Sequence, residues 1–372
     1  MIAVILSILL LFGGAALYST AWLKWVPMKV NSWVEVEEAE KIEGESTVVW
    51  VVVENHSILP IPWINVSLVL PRGMSEDKKE RTVFFSTHLL PRQKVRRKIA
   101  FTCYQRGVHR LTSLTVDLSD GLGWKSERLH IDTIPKITVK PRLLHTHIPL
   151  PLSDWMGEVS VKRWYNEDPA RLYGIRPYQQ SDAYTSIHWA ASARTGEWMV
   201  KQWETTSDAS ITFVINGQTQ TKSIAGVRLE IVDEACRLVA TLCQQAQHKG
   251  LRYGILTNLM WQGRSVLHTP IGSGEQHYSQ IHHLLGGVLP LPLTKGSELL
   301  YKLVSENNVA QTIFFVTSYW EEEIASHLHF LREQGHVVYV LYLYQENKPS
   351  RLPHWDGPLH FYPVESEGRK TS

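Results

Sequence analysis

The chain has 372 residues, 44% hydrophobic and 20% charged, a length that suits about two domains with sizeable cores. Thirty-eight basic against 36 acidic residues leave a net charge of +2, so no basic excess argues for a nucleic-acid partner. Three cysteines are too few and too scattered for a disulfide framework. Cys236 and Cys243 lie seven apart in a predicted helix, about 10 Å along its axis, and read as reduced core residues.

Residues 1–23 are predicted to form a transmembrane anchor. "IAVILSILLLFGGAALYSTAW" carries no charge and reaches the about 20 apolar residues that a spanning helix needs. A cleaved signal peptide would have a basic start and a shorter apolar run. Lys24 and Lys29 follow at once, and the positive-inside rule then places the chain in the cell membrane as a single-pass protein with its bulk in the cytoplasm. The "FGGAA" patch suits close helix packing, although small residues are common in such spans.

Residues 30–139 read as an antiparallel β-sandwich of immunoglobulin-like type. The runs at 46–55, 62–71, 94–103 and 109–120 are β-branched and aromatic, with Gly, Pro and Asn between them. The basic run "RQKVRRK" (92–98) could touch anionic lipid. The acidic stretch at 35–45 lies close in sequence, which favours a solvated strand face instead. Residues 140–165 are Pro-rich and aperiodic and read as a connector.

Residues 166–345 begin with a dense aromatic and charged stretch and continue as alternating strands and helices. Strands are predicted at 210–216, 252–258, 312–318 and 337–344, and helices at 224–249, 275–285, 296–307 and 320–334. In the first helix, apolar stripes run through 231, 235, 238, 242 and 232, 236, 239, 243, and Gly250 suits its C′ position. Such alternation implies an α/β doubly wound sheet. Residues 346–372 read as a polar tail.

"YQQSDAYTSIHWAASARTGEWMVKQWE" (178–204) holds the density of a site. A hydrolase would use His188 and Ser192, spaced i, i+4, but the G-x-S-x-G turn that exposes a nucleophile is absent. The pairs His145/His147 and His327/His329 lack Cys or carboxylate companions at a metal-ligand spacing. A structural joint accounts for more of the residues. Asp182 suits the cap of a helix starting near Ala183, Arg194 suits its last turn, and Gly196 its end. Arg176 and Arg194 could pair with Asp182 or Glu204 in a partly buried network, with Trp189, Trp198 and Trp203 packed around it. A partner-binding surface is the alternative use of the same residues.

The stretch resembles the signature of the bacterial domain-of-unknown-function 58 family. That signature runs G-x-R-x-Y-x-P-G-D-x-x-R-x-I-H-W-x-x-S-A-R, then Leu-x-Val and an acidic end. The matches are Gly174, Arg176, Tyr178, Asp182, Ile187, His188, Trp189, Ser192, Ala193, Arg194, Val200 and Glu204. Residues 104–124 and 137–144 resemble further family segments. Gln180-Ser181 stand where the family has Pro-Gly, and Thr185 where it has Arg.

The resemblance implies a final domain of von Willebrand factor A-like fold. It also implies a partner of the MoxR-type AAA+ ATPase class, often accompanied by a transglutaminase-like membrane protein. A metal-binding version of that fold carries D-x-S-x-S after its first strand. Here Asn216-Gly217-Gln218-Thr219-Gln220 stand there, and Ser318-Tyr319 follow "TIFFVT", so no metal site and no cofactor is expected. The expectation is a non-enzymatic, membrane-anchored adaptor. Its binding residues would be Arg176, Tyr178, Asp182, His188, Trp189, Ser192 and Arg194. The alternative is an envelope hydrolase using His188 and Ser192.

Overall fold

An unbroken apolar run opens the chain, and in the computed structural model it forms helix α1, Ile2–Trp25. The helix is long and apolar enough to cross a membrane. The structure describes residues 2–74, 82–111, 113–131, 135–144, 166–179, 184–206, 210–221, 226–306, 311–345 and 348–364. The chain divides into two units: Met1–Leu143 with Ser279–Leu289, and Leu144–Tyr278 with Pro290–Ser372.

The first unit is β-rich. Its strands are β1 (Val30–Val36), β2 (Glu40–Ile42), β3 (Ser46–Asn55), β4 (Ile61–Val69), β5 (Thr82–Leu89), β6 (Lys94–Thr102), β7 (Gly107–Arg110), β8 (Ser113–Ser119), β9 (Ser126–Ile131) and β10 (Lys136–Lys140). Antiparallel sheets of order β1-β3-β6 and β5-β4-β8-β9 share one core, and β2-β10-β7 form a smaller sheet. Period-2 alternation decides which side chains enter. Val49, Val51 and Val53 of β3 meet Ile64, Val66 and Leu68 of β4 and Leu114, Val116 and Leu118 of β8 in that core. Trp22 and Val26, at the end of α1, are buried in the same core. Fully burying such a side chain stabilises by about 1.5–3 kcal/mol.

The basic run on β6 lies on a strand face built from mixed contacts. Arg96 stacks over Trp50 at 4.1 Å and pairs with Glu35 at 3.0 Å, while Lys94 sits 4.7 Å over Trp33. The acidic stretch near residue 35 thus supplies the counter-charge.

In the second unit, β11 (Asn166–Pro177) pairs antiparallel with β12 (Met199–Thr206), with the short helix α2 (Trp189–Thr195) between them. The sequence did not predict this hairpin. Along the chain then follow β13 (Ser210–Ile215), α3 (Leu229–His248), β14 (Arg252–Thr257), β15 (Leu259–Met260), β16 (Leu267–His268), α4 (Glu275–Gly287), β17 (Leu289–Pro292), α5 (Gly296–Glu306), β18 (Thr312–Thr317), α6 (Glu322–Glu333), β19 (Val337–Tyr344) and β20 (Leu359–Pro363), of which Ser279–Leu289, most of α4 and the first residue of β17, belong to the first unit.

Six strands form a sheet of order β16-β14-β13-β18-β19-β20, parallel throughout except for β16. β13 and β18 are buried at every position, the unalternating pattern of strands covered on both faces. Both predicted stripes of α3 are buried. The helix closes on Gly250 at φ +68°, where Leu251 N donates to Ala246 O and Gly250 N to Gln247 O, the paired bonds of a Schellman motif.

The polar tail predicted from residue 346 is corrected in part. Leu359–Pro363 pair with β19 as a parallel edge strand, because alternation in "LHFYP" presents Phe361 to Tyr342. Residues 365–372, and the connector from 145 to 165, lie outside the described residues.

Candidate functional site

β13 leads to its left-hand neighbour β14 and its right-hand neighbour β18, so the strand order reverses between β13 and β18. In open parallel sheets the crevice beyond the carboxyl ends at such a point is where ligands bind. Here that crest is floored by neutral amides and hydroxyls. Asn216, which follows β13, donates from Nδ2 to Thr317 Oγ1 at 3.1 Å. Its Oδ1 accepts from Gln218 N at 3.1 Å and from Asn258 Nδ2 at 3.0 Å. Asn258 also donates to Thr294 O (2.9 Å) and accepts from Gly217 N (2.8 Å). Gln218 Oε1 accepts from Gly296 N at 3.1 Å.

Asn216, Gln218, Asn258 and Thr317 are all buried. Burial makes each unmade hydrogen bond expensive, so this lattice fixes three strand-end loops together. A Cβ on Gly296 would stand 2.5 Å from Asn216 Nδ2, which is why the start of α5 approaches so closely only with glycine there. Above the floor, Tyr319 OH donates to Glu321 Oε2 at 3.1 Å. Burial, and after it the Glu321 carboxylate, hold the Tyr319 phenol above its ordinary value, so it stays a neutral donor. Gln220 and Lys295 are exposed beside it.

The absence of a carboxylate from 216–220 and from 318–319 was legible in the sequence. Gln218 and Asn258 as structural members of the floor were not, although Asn258 ends a predicted strand. No group of three or more His, Cys, Asp or Glu is placed to hold a metal among the described residues. His327 and His329 instead bond the carbonyls of Glu323 (2.7 Å) and His354 (2.8 Å), and His145 and His147 lie outside the described residues.

The 178–204 stretch forms a separate feature. Tyr178 N donates to Trp198 O (2.8 Å) and His188 N to Met199 O (2.8 Å), tying both flanks of α2 to β12 and its approach. Tyr178, Tyr184 and Trp198 pack mutually with ring centroids 5.6–6.0 Å apart. Ile187, Ala191 and Val200 are buried beneath.

A 3-10 turn forms at Tyr184–Ser186, next to the start expected near Ala183, while Asp182 lies outside the described residues. The α-helix proper begins at Trp189, and His188 caps it by accepting Ala191 N on Nδ1 at 3.1 Å. Arg194 in the last turn and Gly196 as the left-handed closing residue stand as predicted.

Ser192 is tied to backbone. Its Oγ accepts Met199 N (2.9 Å) and donates to His188 O (3.1 Å). The carbonyl of His188, rather than its ring, is therefore the partner of the Ser192 hydroxyl.

Burial of the expected charge network differs at two positions. Arg194 is exposed and pairs with no carboxylate among the described residues, and Trp189 is 68% exposed rather than a roof. Position on the outer side of a seven-residue helix explains both. Arg176 is half-buried and donates to Pro177 O at 3.2 Å. Asp182 and the side chains of Trp203 and Glu204 lie outside the described residues.

The model of the family described as "Protein of unknown function DUF58" matches residues 174–369, more than half of the chain. The chain belongs to the DUF58 family. The match takes in α2, the hairpin's second strand, the amide floor and the whole six-stranded sheet. No curated protein matches this DUF58 chain.

Among solved structures it is similar to the CARDB domain of the PF1109 protein from Pyrococcus furiosus, at 11% identity over 30% of this chain and 91% of that one, TM-score 0.22. It is similar to trypsin-activated alpha-2-macroglobulin from Escherichia coli at 16% identity, over 31% of this chain and 7% of that one, TM-score 0.25. A third similarity, at 11% identity and TM-score 0.23, is to a chain in the human complex of zinc 2-glycoprotein and prolactin inducible protein, over 30% of this chain and 93% of that one. Scores this low leave the fold and function of the DUF58 chain to be argued from its own residues.

Proposed function

We propose that this DUF58 protein is a membrane-anchored, non-enzymatic adaptor whose α/β domain is von Willebrand factor A-like and doubly wound, with an immunoglobulin-like β-sandwich between it and the anchor. The strand order supports the fold reading. Numbered by first appearance, the six strands run 3-2-1-4-5-6 with the third antiparallel. The buried amide floor carries the functional reading. A floor of neutral, mutually bonded amides and hydroxyls at a topological switch point, with Lys295 exposed beside it, offers shape and hydrogen bonds. Such a surface suits a protein partner.

The partner we propose is a MoxR-type AAA+ ATPase, with a transglutaminase-like membrane protein as a further member, in assembly or remodelling of a client. Ser192 supports the non-enzymatic reading over an envelope hydrolase, since backbone groups already hold its hydroxyl. The test is capture of the ATPase by full-length protein in nanodiscs, wild type against Lys295→Glu at the exposed crest. Loss of capture with unchanged melting supports crest docking. Equal capture by both moves the docking surface elsewhere.

A further inference from the structure

We infer that the pole of the β-rich unit surrounding the end of α1 is a second membrane-contact surface, seated in the near leaflet of a phospholipid bilayer with the 120–125 loop reaching past the headgroups. Three loops emerge there. The 56–60 loop is joined to the end of the helix by His56 N donating to Lys29 O at 2.8 Å. The 90–93 turn is joined to that loop by Arg92 N donating to Ser57 O at 3.2 Å. The 120–125 loop meets the helix where Ser19 Oγ donates to the Asp120 carboxylate.

All three loops, and the helix end, turn large apolar side chains outward. Met28 is 85% and Ile58 74% exposed, and Trp25, Leu90, Leu122 and Trp124 are exposed with them. Trp63, paired with Ser119 at the start of β4, borders the group. Among the described residues of 30–143, only Phe84 and Tyr104 are exposed large apolar residues away from this pole. Concentration of that kind at one end marks an interaction surface. Lys24, Lys29 and Arg92 are exposed around it, as interfacial anchors are.

The helix itself names the occupant. Trp22 is 0% exposed, and its Nε1 donates to Pro60 O at 3.3 Å, so the β-rich unit already encloses this level of α1. Ten residues earlier, Phe12 stacks on Trp124 with centroids 6.2 Å apart and planes 7° from parallel. Ten residues of helix rise about 15 Å. From Ile2 to Phe12 is again about 15 Å, half of a hydrocarbon core of about 30 Å. If α1 spans, the Trp22 level lies at the near headgroup boundary and the Trp124 ring beside Phe12 reaches toward the bilayer centre.

The loop turns its carboxylate inward, and Lys125 at its end is half-buried on a stem long enough to return its charge to the headgroups. Asp120 is buried, accepts Trp124 N on Oδ1 at 2.9 Å as well as the Ser19 hydroxyl, and Gly123 takes φ +69° to close the turn.

The inference rests on α1 being a membrane anchor, and one experiment separates the two. Cys103, Cys236 and Cys243 are buried, so single surface cysteines can be labelled selectively in the full chain. Leu9→Cys, Ile58→Cys, Leu122→Cys and Phe84→Cys carry an environment-sensitive fluorophore in phosphatidylcholine–phosphatidylglycerol vesicles containing nitroxide lipids. Probes at 9, 58 and 122 should each lose most of their emission, 58 to nitroxides near the headgroup and 122 to nitroxides on the acyl chain, while the probe at 84 keeps its emission. If 9 is quenched and 58 and 122 are not, as when another protein covers the pole, the inference is overturned and the anchor stands. If 9 is unquenched, the anchor reading falls and the inference with it.

Discussion

Asn258 reaches across the carboxyl edge of the sheet and donates to Asn216 Oδ1 at 3.0 Å, so two buried amides stand together at the crest. Asn216→Asp tests what that neutrality does. The new oxygen would replace the donor that faces Thr317 Oγ1 and bury a charge. A loss of about 1–3 kcal/mol is expected, seen as a fall of about 2–4 °C in Tm per kcal/mol for a unit of this size. Mg²⁺ and Mn²⁺ should show no stoichiometric heat with the wild type and should not restore the variant. A tight, chelator-reversible site in calorimetry would show the floor to be a cation site.

Ser192→Ala and Arg194→Ala should part company. Removing Ser192 Oγ strands the Met199 N–H, at about 1–3 kcal/mol. Arg194 lies exposed with no carboxylate partner among the described residues, so its loss should change stability by no more than about 0.5 kcal/mol. Thermal melts of both variants decide this. If Arg194→Ala melts as wild type yet captures no partner, α2 is part of a recognition surface.

The difference between these two variants was not legible in the sequence. Spacing gave the closing end of α2 correctly, since Arg194 and Gly196 act within one turn. It missed His188 as the cap of the α-helix, because a His accepting a backbone N–H on Nδ1 carries no spacing signal of its own. The core strands were legible for the opposite reason. "SITFVI" and "TIFFVT" are apolar at nearly every position and fit nowhere but the middle of a covered sheet. Edge strand β20 and the hairpin strands carry polar residues and Pro, and their pairing is decided by partners distant in sequence.

Acid should loosen the fold below the ordinary imidazole value of about 6.5. Burial holds His336 and His282 below that value, His336 accepting Gln311 N on Nδ1 at 3.1 Å. The unfolded chain therefore takes up these protons first as pH falls. The stabilisation is full above about pH 6.5 and declines from there down through the lowered folded values. Melting followed from about pH 8 to 5 should show this slope. His336→Gln should be less stable at neutral pH but less sensitive to acid; an unchanged slope would remove His336 from the explanation.

Lys24 lies in the last turn of α1 and Lys29 just beyond it, and the bulk of the chain is expected on the cytoplasmic side. A reporter fused after Ser372 reads the side. Fluorescence from a cytoplasm-only reporter is expected; alkaline phosphatase activity without it would reverse the orientation.

The most direct measurement is the affinity of full-length protein in nanodiscs for a MoxR-type AAA+ ATPase, by surface-immobilised titration. A saturable affinity in the micromolar range or tighter is the expected result, weakened at least about tenfold by Lys295→Glu, which corresponds to about 1.4 kcal/mol at the crest. No saturable binding by correctly folded wild type, in any nucleotide state of the ATPase, would contradict the adaptor reading.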